Sequence, residues 1–126
     1  MKQYIQIRFD NFEVFICLRY FRFTNRWELL QGLENNLREL VLENNQFRLF
    51  PLSAVKILKK LHSLNLSKNS VRNITTDSFT RLDSIIYLDM SDNMFDKINR
   101  DTLMSLPKLK RLSRPLHQVL QRVGRD

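Results

Sequence analysis

A single cysteine, Cys17, stands among 126 residues. It excludes an intrachain disulfide and any metal site closed by several thiolates. Cys17 lies in an apolar run, where a thiol is expected to serve as a small buried hydrophobe rather than a reactive group. Two glycines, Gly32 and Gly124, are too few for the glycine-rich loops that cradle phosphates. His62 and His117 are the only histidines. One serine–histidine–aspartate set can be assembled from His62, Ser63, Ser67 and Asp89. Those serines and that aspartate fall on an open, outward face with no evident oxyanion hole. No catalytic residue, cofactor or metal ligand is assigned, and an enzyme is not expected. No stretch approaches the roughly 18 apolar residues of a membrane-spanning helix. At the start, Gln6, Arg8, Asp10, Asn11 and Glu13 interrupt what a secretory signal would keep apolar. Taken as it stands, the sequence carries no visible export signal, which points to the cytoplasm.

Acidic excess is lacking too, but the positive balance is local. Of the formal +8, residues 1–36 supply +1 and residues 37–107 supply +2. Residues 108–126 supply +5, from Lys108, Lys110, Arg111, Arg114, Arg122 and Arg125 against Asp126. The body is nearly balanced, so a nucleic-acid surface is not expected there.

What the chain has instead is a repeat. Three 24-residue segments begin at Leu37, Leu61 and Ile85, and seven apolar positions coincide in all of them. The first carries Leu37, Leu40, Leu42, Phe47, Phe50, Val55 and Leu58. The second carries Leu61, Leu64, Leu66, Val71, Ile74, Phe79 and Leu82. The third carries Ile85, Leu88, Met90, Phe95, Ile98, Leu103 and Leu106. With 43% hydrophobic residues, such agreement has a chance probability of roughly 10⁻⁸ before the search is allowed for. An asparagine follows the third apolar position each time: Asn45, Asn69 and Asn93.

The spacing dictates geometry. Leu40-Val41-Leu42 and its equivalents alternate apolar with other residues, as a short strand with one buried face does. A 24-residue coil returns the chain to start the next strand parallel to the last. The leucines then stack into one core, and the asparagines form a ladder where the chain leaves each strand. Their amides are expected to satisfy backbone groups that the turn leaves unpaired. Phe79 shares a column with Val55 and Leu103 and should fill the core from the far side.

The pattern L-x-x-L-x-L-x-x-N-x-L, followed by L-x-x-x-x-F-x-x-L, resembles the leucine-rich repeat family. It is most similar to the typical 24-residue class of extracellular proteins, Toll-like and Slit-like. Gly32-Leu33-Glu34-Asn35-Asn36-Leu37 adds a resemblance to chaoptin-like arthropod adhesion proteins. The resemblance covers residues 37–108, with residues 30–36 as an extension. It implies an α/β solenoid, with a short-stranded parallel sheet on the concave face and loops and short helices on the convex face. It also implies a non-catalytic module that binds another protein, of adhesion or receptor type, at the cell surface or outside the cell.

The ends depart from the repeat. Residues 1–36 read either as a β-hairpin cap or as a degenerate repeat strand. In the hairpin, Ile5, Ile7 and Phe9 alternate with polar residues, Asp10-Asn11 turns, and Phe12 to Phe23 returns. The alternative strand is Leu18-x-x-Phe21-x-Phe23, with Trp27, Leu30 and Leu33 closing the convex side in either case. Residues 109–126 start a fourth repeat with Leu109 and Leu112. It fails at Arg114 and at His117, where asparagine is required. Leu116, Val119, Leu120 and Val123 then make a helical stripe. This basic tail reads as a capping helix, or as a contact for an anionic membrane or nucleic acid.

Function is expected on the outward strand positions. Glu39, Ser63 and Tyr87 form one row, and Val41, Asn65 and Asp89 the next. Glu43, Ser67 and Ser91 form a third, with Asn44, Lys68 and Asp92 on the rim. Tyr87 is the expected anchor, and the acidic balance suggests a partner of basic character. Asn65-Leu66-Ser67 and Asn73-Ile74-Thr75 are N-glycosylation sequons. A glycan on Asn65 would block the middle of this face, so those two readings compete. The alternative to an adhesion or receptor module is a cytosolic scaffold built on the same coil.

Overall fold

Residues 31–58 show how one turn of the coil is made. Gly32 has φ +85°, a left-handed conformation that glycine adopts at no steric cost. The chain then enters the first strand of the repeat, whose Leu37 and Leu40 are buried while Arg38, Glu39 and Val41 stay half-exposed. After that strand the chain turns under Phe47 and Phe50 and forms one helical turn behind Pro51. The computed structural model describes residues 4–10, 13–19, 31–80 and 82–115.

The elements are β1 (Tyr4–Asp10), β2 (Glu13–Arg19), β3 (Leu37–Val41), α1 (Leu52–Val55), β4 (Ser63–Asn65), a 3₁₀ turn (Thr76–Phe79), β5 (Tyr87–Asp89), α2 (Arg100–Met104) and β6 (Arg111–Ser113). One six-stranded sheet runs in sequence order, β1 to β6. β1 and β2 pair antiparallel, and β2 to β6 are parallel. Leu40, Leu64, Leu88 and Leu112 stand in one register line. The parallel ladder continues beyond the strands, from Leu42 N–H to the Asn65 carbonyl and from Leu66 N–H to that of Asp89.

The core is the set of apolar columns read from the repeat. All are buried except Ile74 and Leu103, which are half-buried and pack against the rest. Leu103 sits in α2 of the last complete coil, and no following helix among the described residues covers it. Phe79 is fully buried and meets Phe50 edge to face, with centroids 5.0 Å apart.

The return segments form single helical turns where local polar groups cap them. Asn99 Oδ1 accepts from Thr102 N–H and from Thr102 Oγ1, both at 2.9 Å, and this lets Thr102 be buried at the start of α2. Ser78 Oγ accepts from Thr75 N–H at 2.9 Å ahead of the 3₁₀ turn.

At the ends, the strand added to β3 is Glu13–Arg19, with Ile16 opposite Leu40 and Cys17 opposite Val41. The burial expected of the Cys17 thiol, the Asn11 half of the proposed turn, and Phe21, Phe23, Trp27 and Leu30 lie outside what is described. β6 supplies a fourth parallel strand of the repeat, Arg111-Leu112-Ser113, before the pattern stops. The helical stripe from Leu116 onward and His117 lie outside the described residues.

Candidate functional face of the sheet

Each of β3 to β6 presents two residues outward with one leucine between them pointing inward. The pairing fixes these as rows. Glu39, Ser63, Tyr87 and Arg111 stand opposite one another, and so do Val41, Asn65, Asp89 and Ser113. Together they line an open hollow of about 280 Å³ whose floor is Leu64 and Leu88. Tyr87 is 49% exposed and rises from the middle of it. Arg111 and Ser113 also line this hollow, and sequence reasoning did not include them in the candidate face. The signal was present: each lies one further 24-residue step beyond Tyr87 and Asp89.

The third expected row is only partly a surface. Glu43 and Ser91 are half-exposed, but Ser67 is buried at 4% and does not offer its side chain to a partner. β4 stops at Asn65, whose Oδ1 accepts from Ser67 N–H at 2.9 Å, and Ser67 then lies between two neighbouring coils, its carbonyl accepting from Asn44 N–H and the Lys68 N–H beside it donating to the Ser91 carbonyl. Strand alternation no longer applies two residues on. Asp89 makes the equivalent turn, its Oδ1 accepting from Ser91 N–H at 3.0 Å and from Ser91 Oγ at 2.7 Å.

Beyond this turn come the rim residues Asn44, Lys68 and Asp92, all exposed and all left-handed, with φ of 66°, 57° and 54°. Asparagine and aspartate tolerate that conformation, whereas lysine bears a steric cost. Lys68 Nζ lies 3.8 Å from Glu43 Oε1, a solvent-screened pair that nonetheless offsets one acidic charge of the face.

The asparagine ladder sits behind the rim. Asn69 Oδ1 accepts from Asn45 N–H at 2.9 Å and Phe47 N–H at 3.0 Å, both in the preceding coil. Its Nδ2 donates to the carbonyls of Leu42 and Leu66 at 3.0 Å, with Ser67 at 3.2 Å as a third acceptor. Asn93 repeats the arrangement with Val71 N–H and the carbonyls of Leu66, Met90 and Ser91. Asn45 Nδ2 reaches the Glu43 carbonyl at 3.4 Å. These buried amides serve the backbone.

The serine–histidine–aspartate set is not assembled. No hydrogen bond among the described residues links His62 to Ser63, Ser67 or Asp89; Ser67 is buried and Asp89 Oδ1 is engaged by Ser91. Asn73 is exposed outside the hollow, whereas Asn65 is half-buried within its lining. No helix of the described residues is long and apolar enough to cross a membrane.

A parallel-stranded solenoid with a leucine column behind its sheet, an amide ladder at each turn and one face of varying side chains is the class this geometry defines. The chain belongs to the leucine-rich repeat family, whose model matches residues 35–95 and again 59–113. Over 53 residues it is 42% identical to chaoptin of Tribolium castaneum, a stretch that makes up 42% of this chain and 7% of chaoptin. The crystal structure of human 5T4 (Wnt-activated inhibitory factor 1, trophoblast glycoprotein) has the same fold. It matches with a TM-score of 0.53 at 23% identity, over 75% of this chain and 38% of the other. The chain therefore spans a small part of chaoptin and less than half of the human protein's chain.

Proposed function

We propose that this chain is a non-catalytic interaction module that binds a protein partner across the outward face of β3 to β6, in an adhesion- or receptor-type protein of the cell surface or extracellular space. The observation that carries the reading is the contrast within each strand. Buried leucines repeat without change, while the residues on either side of them differ from coil to coil and line one hollow. Tyr87 is the anchor, since a half-exposed tyrosine brings area, rigidity and a polar tip to a contact. In this scheme the β1–β2 hairpin caps the first coil by occupying the edge of β3. The similarity to chaoptin and the resemblance to the typical extracellular class favour the surface location. The single cysteine favours the second reading, a cytosolic scaffold on the same coil, because extracellular modules are commonly stapled by disulfides.

One experiment addresses the face. The chain is driven through a secretory pathway behind a supplied signal peptide and analysed by mass spectrometry after glycosidase treatment. Occupancy at Asn73 with Asn65 free is the expected result. A glycan on Asn65 would fill the hollow and defeat the face assignment. Partner capture with the parent chain and with Tyr87→Ala then reads the contact directly, with at least a tenfold loss of affinity expected on removal of the ring.

A further inference from the structure

The fourth strand changes the electrostatics of the face. Without it the face is acidic from Glu39, Glu43 and Asp89. With it, the row that begins at Glu39 ends at Arg111, and the intervening members, Ser63 and Tyr87, carry no charge. Arg111 is exposed and makes no salt bridge among the described residues. Asp89 is the acidic group diagonal to it, and one of its oxygens is held by Ser91. Glu43, the other acid near Glu39, is already offset by Lys68. Along the row from Glu39 to Arg111 the charge thus changes sign, with the Tyr87 ring between, while the parallel row of the hollow carries Asp89.

Resting on the face assignment above, we infer that the partner is an extended protein segment lying across the strands, with a basic side chain toward Glu39 and an acidic side chain toward Arg111. The spacing follows from the register. Three inter-strand steps of about 4.8 Å separate Glu39 from Arg111, roughly 14 Å. An extended chain rises about 3.4 Å per residue, so the two charged residues stand about four positions apart. Residues at that separation share one side of an extended segment, and the neutral residue midway between them faces the Ser63–Tyr87 stretch. Complementary charges at both ends fix the direction of the segment and exclude chains of uniform charge, since like charges at either end are penalised. A purely basic partner, which the acidic residues of the first three coils alone would suggest, meets Arg111 with repulsion.

The test is selection of a displayed library of random ten-residue peptides on the parent chain, on Glu39→Lys, on Arg111→Glu and on Tyr87→Ala. Both charge inversions are at side chains on the solvent face. The parent chain is expected to enrich peptides with Lys or Arg four positions from Asp or Glu, in either order. Glu39→Lys should enrich two acidic residues at that spacing, and Arg111→Glu two basic ones. A synthetic Lys-x-x-x-Glu peptide should lose at least tenfold in affinity with each inversion. Enriched motifs without paired charges, motifs unchanged by both inversions, or no enrichment at all would each overturn the inference. If motifs are unchanged but Tyr87→Ala still abolishes capture, the face assignment survives and only the charge pattern fails. If Tyr87→Ala is also without effect, both fail.

Discussion

Leu88 is 2% exposed and Tyr87 is 49% exposed, although the two are neighbours in β5. The same contrast runs across the sheet. Leu40, Leu64 and Leu88 form one register line of identical residues, while the adjacent row runs Glu39, Ser63, Tyr87 and Arg111. Repetition on one side fixes the coil, because each leucine must match the volume left by its neighbours above and below. Variation on the other side is tolerated by the fold, because those side chains face solvent and nothing must fit against them. The division lets a structural scaffold carry a surface whose chemistry is set one residue at a time.

Four substitutions sharpen or break that division. The largest effect is expected from Asn69→Asp, which puts a carboxylate oxygen against the carbonyls now served by the Asn69 amide. A loss of about 4 kcal/mol at neutral pH is expected, because a buried charge would face acceptors it cannot satisfy. Burial and the facing carbonyls would raise the introduced carboxyl group's pKa in the folded state above its unfolded value near 4. The folded form then holds the proton more tightly. The deficit relative to the parent should be smallest below about pH 4, where the one O–H of the protonated carboxyl can serve one of the two carbonyls, and grow as the pH rises toward neutrality, which urea melts at both ends of that range will read. A pH-independent loss would show that the ladder acts through packing alone.

Next, Leu88→Ala and Tyr87→Ala place the comparison inside one strand. The first should cost about 3 kcal/mol through lost burial and a cavity, and the second less than about 0.5 kcal/mol. Equal losses in thermal or chemical melts would mean that Tyr87 belongs to the scaffold and not to the face. The smallest effect is expected at Lys68. Lys68→Gly relieves the left-handed strain and gives up only a screened ion pair. It should raise stability by at most about 0.5 kcal/mol. A clear loss would show that the Glu43 pair matters more than its exposure implies.

The columns of leucine, phenylalanine and asparagine were legible because each position is written three times, so period alone separated them from the rest. Ser67 was misread for a physical reason. It sits two residues past Asn65, and strand alternation was carried across a turn that the Asn65 side chain itself makes. Arg111 and Ser113 lie one 24-residue step beyond Tyr87 and Asp89, but the repeat breaks at Arg114 and His117 directly after them. A strand needs only its own three residues and a parallel neighbour, and Leu112 was enough to keep the register with Leu88. Ile74 and Leu103 carry the right residue type for a core and pack against it, yet they stay half-buried while their column neighbours Phe50, Ile98, Val55 and Phe79 are buried. Arg111, the cation at the far end of the Glu39 row, belongs to the fourth coil, so three coils alone do not contain the change of sign along that row.

The ladder has a direction. Asn69 reaches back 24 residues to Asn45 N–H, and Asn93 reaches back 22 to Val71 N–H; their oxygens close the turn of the coil before their own. A nascent chain is made in the opposite order to that dependence. Each loop must therefore wait for about one more coil to be synthesised, on the order of seconds at ribosomal speed, before its amide hydrogens find their acceptor. Vectorial synthesis adds coils one at a time, and each newcomer locks its predecessor.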